Sequence, residues 1–121
     1  MIKKGLKIFI CEDDPGILEV IGIALKTQGF EPISQSSLDK LEDKILIEKP
    51  RILLLDLWLN GTNGEDILKK LKSNDKLRET AIILMSAHAA LPDIAKAHGV
   101  DFLRKPFALE ELWSAIARNS H

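Results

Sequence analysis

Pro50-Arg51-Ile52-Leu53-Leu54-Leu55-Asp56-Leu57-Trp58 is the stretch on which the fold turns. Four apolar residues, Ile52 to Leu55, run without interruption and meet a carboxylate at Asp56. The run is too short for a helix and is bounded by turn and polar residues, so it predicts a strand buried on both faces. Two other runs share this character, Leu6 to Cys11 upstream and Ala81 to Met85 downstream. Weaker strand signals lie at Phe30 to Ser34 and at Asp101 to Arg104. Pro32 falls inside the first of these and lacks the N–H that a central strand needs, which predicts a sheet edge.

Between the strands the apolar spacing becomes helical. Ile17, Leu18, Ile21, Ala24 and Leu25 form one stripe, and Ile67, Leu68 and Leu71 form another. Asp14-Pro15 reads as an N-cap followed by proline at the first helical position, and Gly29 is placed to end that helix. Further helices are expected from about Ser37 to Ile47, from Leu91 to Ala97 and from Leu109 to Asn119. Five strand–helix units in alternation predict an α/β fold with a parallel sheet covered by helices on both faces. Without repeats, low-complexity segments or an internal linker, residues 1–121 read as a single domain.

Composition narrows the function classes. Seventeen Lys and Arg face 18 Asp and Glu in 121 residues, and no basic run stands out, which argues against a nucleic-acid footprint. Cys11 is the one cysteine, so neither an intramolecular disulfide nor a cysteine-based metal site is expected. The start, MIKKGLKIFICEDD, turns acidic too soon for a signal peptide, and no window is long enough to span a membrane. A soluble, cytoplasmic protein is the expectation.

In open parallel sheets ligands bind beyond the carboxyl ends of the strands. The first apolar run ends in Glu12-Asp13-Asp14, the third strand in Asp56, the fourth in Ser86 and the fifth in Lys105-Pro106. Carboxylates gathered this closely repel one another unless a cation sits among them. A few carboxylate oxygens with room for water suit Mg²⁺. Lys105 and Ser86 add a positive charge and a hydrogen-bond donor, the groups that a phosphoryl group in transfer needs. A carboxylate can itself accept that group as an acyl phosphate.

Taken in order, Glu12-Asp13, Asp56 within DLWLNGTNGEDIL, Ser86-Ala87, Phe102 and Lys105-Pro106-Phe107 resemble the receiver domains of response regulators in two-component signalling. The resemblance spans nearly the whole chain. It implies a flavodoxin-like, doubly wound sheet of order 2-1-3-4-5. It implies that Asp56 is the phosphoacceptor and that Asp13 and Asp56 bind Mg²⁺, joined by the main-chain carbonyl of Trp58 and, through water, by Glu12. Ser86 and Lys105 would contact the phosphoryl group, and Phe102 would swing inward as Ser86 moves. Lys105-Pro106 would be a cis peptide. The implied partners are a histidine kinase or phosphotransfer protein and a downstream protein target, with neither nucleic acid nor membrane. Output would pass through the fourth helix, fifth strand and fifth helix, and the domain would assist both its phosphorylation and its dephosphorylation.

Each residue also has a plainer reading. Asp14 reads as a cap rather than a ligand, Cys11 as a small buried residue, and Trp113 as packing. Ser86 alone reads as a turn residue, Lys105 alone as a surface lysine, and Phe102 alone as core. His88 and His98 read as surface histidines, with His88 bordering the pocket, and Trp58 should stand at the site mouth. The chain departs from the family in three places. Asn60 and its neighbours replace a common Met-Pro, the segment from Ser86 to Lys105 is about one helical turn shorter than usual, and Ser86 stands where threonine is common, a mild change.

Three other functions are weighed. An Asp-nucleophile phosphatase usually carries a second Asp where this chain has Trp58. A flavin-binding protein needs a phosphate-cradling loop where this chain has Glu12-Asp13-Asp14. A phosphorylation-independent interaction module would keep the fold and lose the acceptor or its metal.

Overall fold

The computed structural model describes residues 5–120; Met1 to Lys4, which the sequence reading takes as the start of the folded chain, and His121 lie outside them. Five parallel strands form the sheet: β1 (Lys7–Cys11), β2 (Glu31–Gln35), β3 (Ile52–Asp56), β4 (Ala81–Ser86) and β5 (Asp101–Arg104). Their order is β2-β1-β3-β4-β5, with Phe9 paired to both Ile33 and Leu53, and Leu54 to Ile83. β2, the strand with Pro32, is at the edge as expected.

Four helices connect the strands and a fifth follows the last: α1 (Pro15–Thr27), α2 (Leu41–Glu48), α3 (Glu65–Lys72), α4 (Leu91–His98) and then α5 (Leu109–Asn119). Alternate side chains of a strand point to opposite faces, so each central strand feeds two cores. Leu53, Leu55 and Leu84 pack with Leu41, Ile45, Leu68, Leu71 and Leu91 under α2, α3 and α4. Ile52, Leu54 and Ile83 pack with Ile21, Leu25, Leu112 and Ile116 under α1 and α5. Burial on both faces is why the central strands read as unbroken apolar runs.

Local chemistry sets most element ends. The Asp14 carboxylate accepts hydrogen bonds from the N–H groups of Gly16 (2.9 Å) and Ile17 (3.1 Å), satisfying two orphan donors of α1. Gly29, with φ of 89°, lies past the end of that helix in the conformation glycine tolerates best. One boundary differs clearly from expectation: α2 begins at Leu41, not near Ser37. The Gln35 side-chain amide donates to the carbonyls of Ser37 (2.6 Å) and Asp39 (3.0 Å), and the Ser37 hydroxyl accepts from the Asp39 N–H (3.3 Å). These side-chain bonds offer the backbone an alternative to the helix, and Lys40, with φ of 51°, interrupts it sterically.

Cys11 is fully buried at the end of β1, and its thiol donates to the Ser37 carbonyl at 3.1 Å. Burial, with the neighbouring Asp56 and Glu12 carboxylates, pushes this thiol up to about 12. On the order of one molecule in ten thousand is then a thiolate at pH 8. A thiol-specific alkylating reagent at that pH should label Cys11 only as fast as the chain unfolds. Rapid labelling of the native protein would contradict the packing.

Candidate functional site

The chain leaves β1 toward one edge of the sheet and leaves β3 toward the other, so a crevice opens between their carboxyl ends. Glu12 and Asp13 follow β1 directly, and Asp56 is the last residue of β3. Ser86 closes β4, and the N–H of Lys105 donates to its carbonyl at 2.9 Å, which holds the Lys105-Pro106 segment over the same edge. The Lys105-Pro106 peptide is cis.

One carboxylate oxygen from each of Glu12, Asp13 and Asp56 lies within 4.8 Å of the others. Glu12 is fully buried; one of its oxygens is hydrogen-bonded to the Lys105 ammonium, and the other accepts from the Asp14 N–H at 3.1 Å. The same ammonium stands 3.3 Å from Asp56 Oδ2. Asp56 Oδ1 accepts from the Trp58 N–H at 3.1 Å. Lys105 is thus the cation shared by two buried carboxylates. Burial alone would lower its pKa, but Glu12 and Asp56 outweigh that and raise it.

Asp56 is pushed up to about 7, chiefly by burial and then by the Glu12 carboxyl beside it, against the opposing pull of the Trp58 N–H and Lys105. Asp13 moves the other way, held below the ordinary carboxylate range by the N–H of Asn60, which donates to its Oδ2 at 2.9 Å. One lysine does not neutralise three acids. Hard oxygen donors at this spacing, with Asp56 only partly compensated by the shared lysine, fit a small divalent cation such as Mg²⁺.

Asn60 is a residue the sequence reading undervalued. Trp58–Leu59 and Thr62–Asn63 pair as a short antiparallel hairpin, joined by Asn60 at φ of 50° and Gly61 at φ of 76°. Two central residues with positive φ make the turn that matches strand twist, and Asn-Gly is its strongest sequence signal. That dipeptide stood in plain view between Leu59 and Thr62. Behind the hairpin, the Gly64 N–H donates to the Leu57 carbonyl at 2.6 Å, and a Cβ on Gly64 would stand only 3.0 Å from that oxygen.

The remaining predicted residues fall into place unevenly. Ser86 is buried, and its hydroxyl accepts from the His88 N–H at 3.0 Å. His88 is exposed, as expected, and Trp58 is 43% exposed beside Asp56. Trp113 packs against Phe30, with ring centroids 6.4 Å apart. Phe102 is partly buried against the core layer under α2, α3 and α4, outside the hydrogen-bonded cluster around Lys105. His98 corrects the reading: it is no surface histidine. Its side chain is 16% exposed and its Nε2 lies 3.3 Å from Glu65 Oε2, because α3 and α4 bring the two residues together from distant parts of the chain.

Fold and site together define a class: a flavodoxin-like α/β module with an acid–lysine cluster at its topological switch point. A family model described as the response regulator receiver domain matches residues 8–117, and the chain belongs to that family. Receiver domains are signalling modules of two-component systems. The chain is 30% identical over 111 residues to the phosphate regulon transcriptional regulatory protein PhoB of Pseudomonas aeruginosa, covering 89% of this chain and 48% of the relative. It is 31% identical over 115 residues to the transcriptional regulatory protein CrdR of Helicobacter pylori, covering 93% and 54%. The chain therefore spans about half the length of these relatives.

Among solved structures, the receiver domain of the sensor histidine kinase PA1611 from Pseudomonas aeruginosa superimposes with a TM-score of 0.82 at 24% identity, covering 95% of this chain and 97% of that one. That structure has a magnesium ion coordinated in its active site cleft. The chemotaxis protein CheY4 of Vibrio cholerae gives 0.83 at 19% identity, covering 95% and 98%. Both likenesses concern the fold. Among the described residues, no helix is long and apolar enough to cross a membrane.

Proposed function

We propose that this receiver accepts a phosphoryl group on Asp56 from the phosphohistidine of a histidine kinase or phosphotransfer protein, with Mg²⁺ as its metal. The observation that carries the reading is the buried Asp56 carboxylate, gathered with Glu12 and Asp13 and facing the Lys105 ammonium. Asp13, Asp56 and the Trp58 carbonyl would hold the ion. Glu12 would act through water, since Lys105 and the Asp14 N–H occupy its oxygens. When bound, Mg²⁺ supplies positive charge to the crowded carboxylates and to the incoming phosphoryl oxygens.

The chain's own groups account for the rest. An Asp56 oxygen attacks phosphorus, the phosphorus–nitrogen bond breaks, and its electron pair stays on the imidazole nitrogen. Lys105 is near enough to transfer its contact from the carboxylate to a phosphoryl oxygen. The Ser86 hydroxyl would leave the His88 N–H to donate to another oxygen, and Phe102 would move into the space vacated. These contacts exist in only one arrangement, so the phosphate biases a two-state equilibrium. Assistance to hydrolysis of the acyl phosphate belongs to the same proposal, as does a downstream protein target.

The test is incubation with acetyl phosphate and Mg²⁺, read by intact mass. One added phosphoryl group mapped to Asp56, with a Mg²⁺-dependent change in tryptophan fluorescence that is lost in Trp58→Phe, supports the reading. No mass change and no fluorescence response would instead favour an interaction module that works without phosphorylation.

A further inference from the structure

We propose that the end of the molecule opposite Asp56 carries a second binding site, a cavity that takes a small organic anion, meaning a carboxylate or phosphate group on an apolar body. The cavity lies at the strand-start edge of the sheet, where Lys7 opens β1, Arg51 precedes β3 and Thr80 precedes β4. The last turn of α2 and the segment around Leu77 close its sides. Its volume is about 890 Å³, within the range of small-molecule sites. Ile45 and Leu77, both buried, contribute apolar walls.

Its charge is lopsided. Lys7, Lys49, Arg51 and Lys76 line the cavity, against Glu79 alone among acidic groups. Lys7 is committed to Glu48 at 3.5 Å. Among the described residues, Lys49, Arg51 and Lys76 form no ion pair. Arg78 adds a further cation in a cleft that Arg51 also borders.

The second, independent observation is Arg51 Nε. It is withdrawn from solvent with no hydrogen-bond partner, the one such buried side-chain atom among the described residues. Buried donors are nearly always paired, so an orphan asks for an explanation. The Arg51 main chain is fixed by the sheet: its N–H donates to the Lys7 carbonyl and its carbonyl accepts from Ala81, each at 2.9 Å. A guanidinium offers Nε–H and an Nη–H as a parallel fork that matches a carboxylate or phosphate edge. An anion there would engage the half-buried Arg51 guanidinium, which would have to turn toward the cavity to offer its orphan Nε–H, would meet Lys49 and Lys76 at the rim, and would lay its apolar part against Ile45 and Leu77. None of these residues belongs to the acidic site, so this inference stands whether or not Asp56 accepts phosphate.

The experiment is an NMR titration of the full chain without Mg²⁺, following the Arg51 Nε–H cross-peak and the Leu77 amide. The probes are hexanoate and phenyl phosphate, with acetate and inorganic phosphate as bare head groups. At least one apolar-bodied probe should move both signals saturably, about tenfold more tightly than its bare head group. Whether hexanoate or phenyl phosphate saturates first identifies the preferred head group. Joint replacement Lys49→Glu and Lys76→Glu, both on exposed side chains, should weaken that binding by about tenfold or more, and Arg51→Lys should do so when read at Leu77. Absence of saturable movement up to about 10 mM overturns the proposal, as does binding indifferent to these replacements. Equal affinity for the bare head groups overturns it too.

Discussion

Asp56→Asn is expected to take up no phosphoryl group from acetyl phosphate, and without metal to be more stable than the parent chain. The first effect follows from chemistry, because an amide oxygen does not displace a phosphoryl group as a carboxylate does. The second follows from electrostatics. Asp56 sits near 7 in the folded chain against an ordinary value of 3.8, so between those limits the native state binds the extra proton. Stability then falls as pH rises from about 4 through 7, and below about 4 the residue contributes nothing to the pH dependence. Asn carries no charge to desolvate. At pH 8 the variant should gain about 1–3 kcal/mol, and its stability should vary less between pH 5 and 8.

Mg²⁺ should reverse this ranking by stabilising the parent more than the variant, through ordinary mass action on the folded state. Urea unfolding at pH 5 and pH 8, with and without Mg²⁺, measures every part of this. An Asn variant with the parent's pH slope would show that the Asp56 charge is compensated elsewhere, and a variant that still labels would move the acceptor to another residue.

Lys105→Met should be the most damaging single change at the site. Glu12 is fully buried and, among the described residues, Lys105 is its one cationic side-chain partner, while Asp56 shares the same ammonium. Removing one partner from a buried pair leaves an uncompensated charge in a poorly solvated place, which costs about 3–5 kcal/mol. The loss should be recoverable. Adding Glu12→Gln to Lys105→Met removes the stranded charge, and the double variant should regain about 1–2 kcal/mol. Denaturant unfolding of the two single variants and the double closes the cycle. Strict additivity would mean that the two side chains do not sense each other, contrary to the contact described. Labelling by acetyl phosphate should slow in every variant that lacks the lysine, whatever its stability.

Much of the fold was open to reading from the chain, for a physical reason. Ile52 to Leu55 are apolar in sequence because both faces of β3 are covered, and burial on both faces leaves no alternation to misread. Asp14-Pro15 and Gly29 bracket α1 because capping and positive φ are satisfied within a few residues. Where expectation and structure part, the deciding contacts skip along the chain. The start of α2 was misplaced because Gln35, back in β2, captures the carbonyls of Ser37 and Asp39. His98 was misjudged because its partner, Glu65, is 33 positions away on another helix.

The site divides in the same manner. Its acids and its lysine were legible as residues at strand ends, and the resemblance to receiver domains named their expected roles. Their pairing was not. Lys105 binds Glu12 across 93 residues, and Asn60 holds Asp13 across 47. Arg51 Nε, left without a hydrogen-bond partner among the described residues, is likewise a fact of packing at the far edge of the sheet. The sequence by itself determined the five parallel strands, the rough places of the helices between them and which residues arrive at the carboxyl edge, since periodicity, capping and turn chemistry act within a few residues. Tertiary structure alone decided which charges meet, which are buried, and hence which carboxylate is raised and which is lowered, because those depend on distances set by the crossing of the chain at the centre of the sheet.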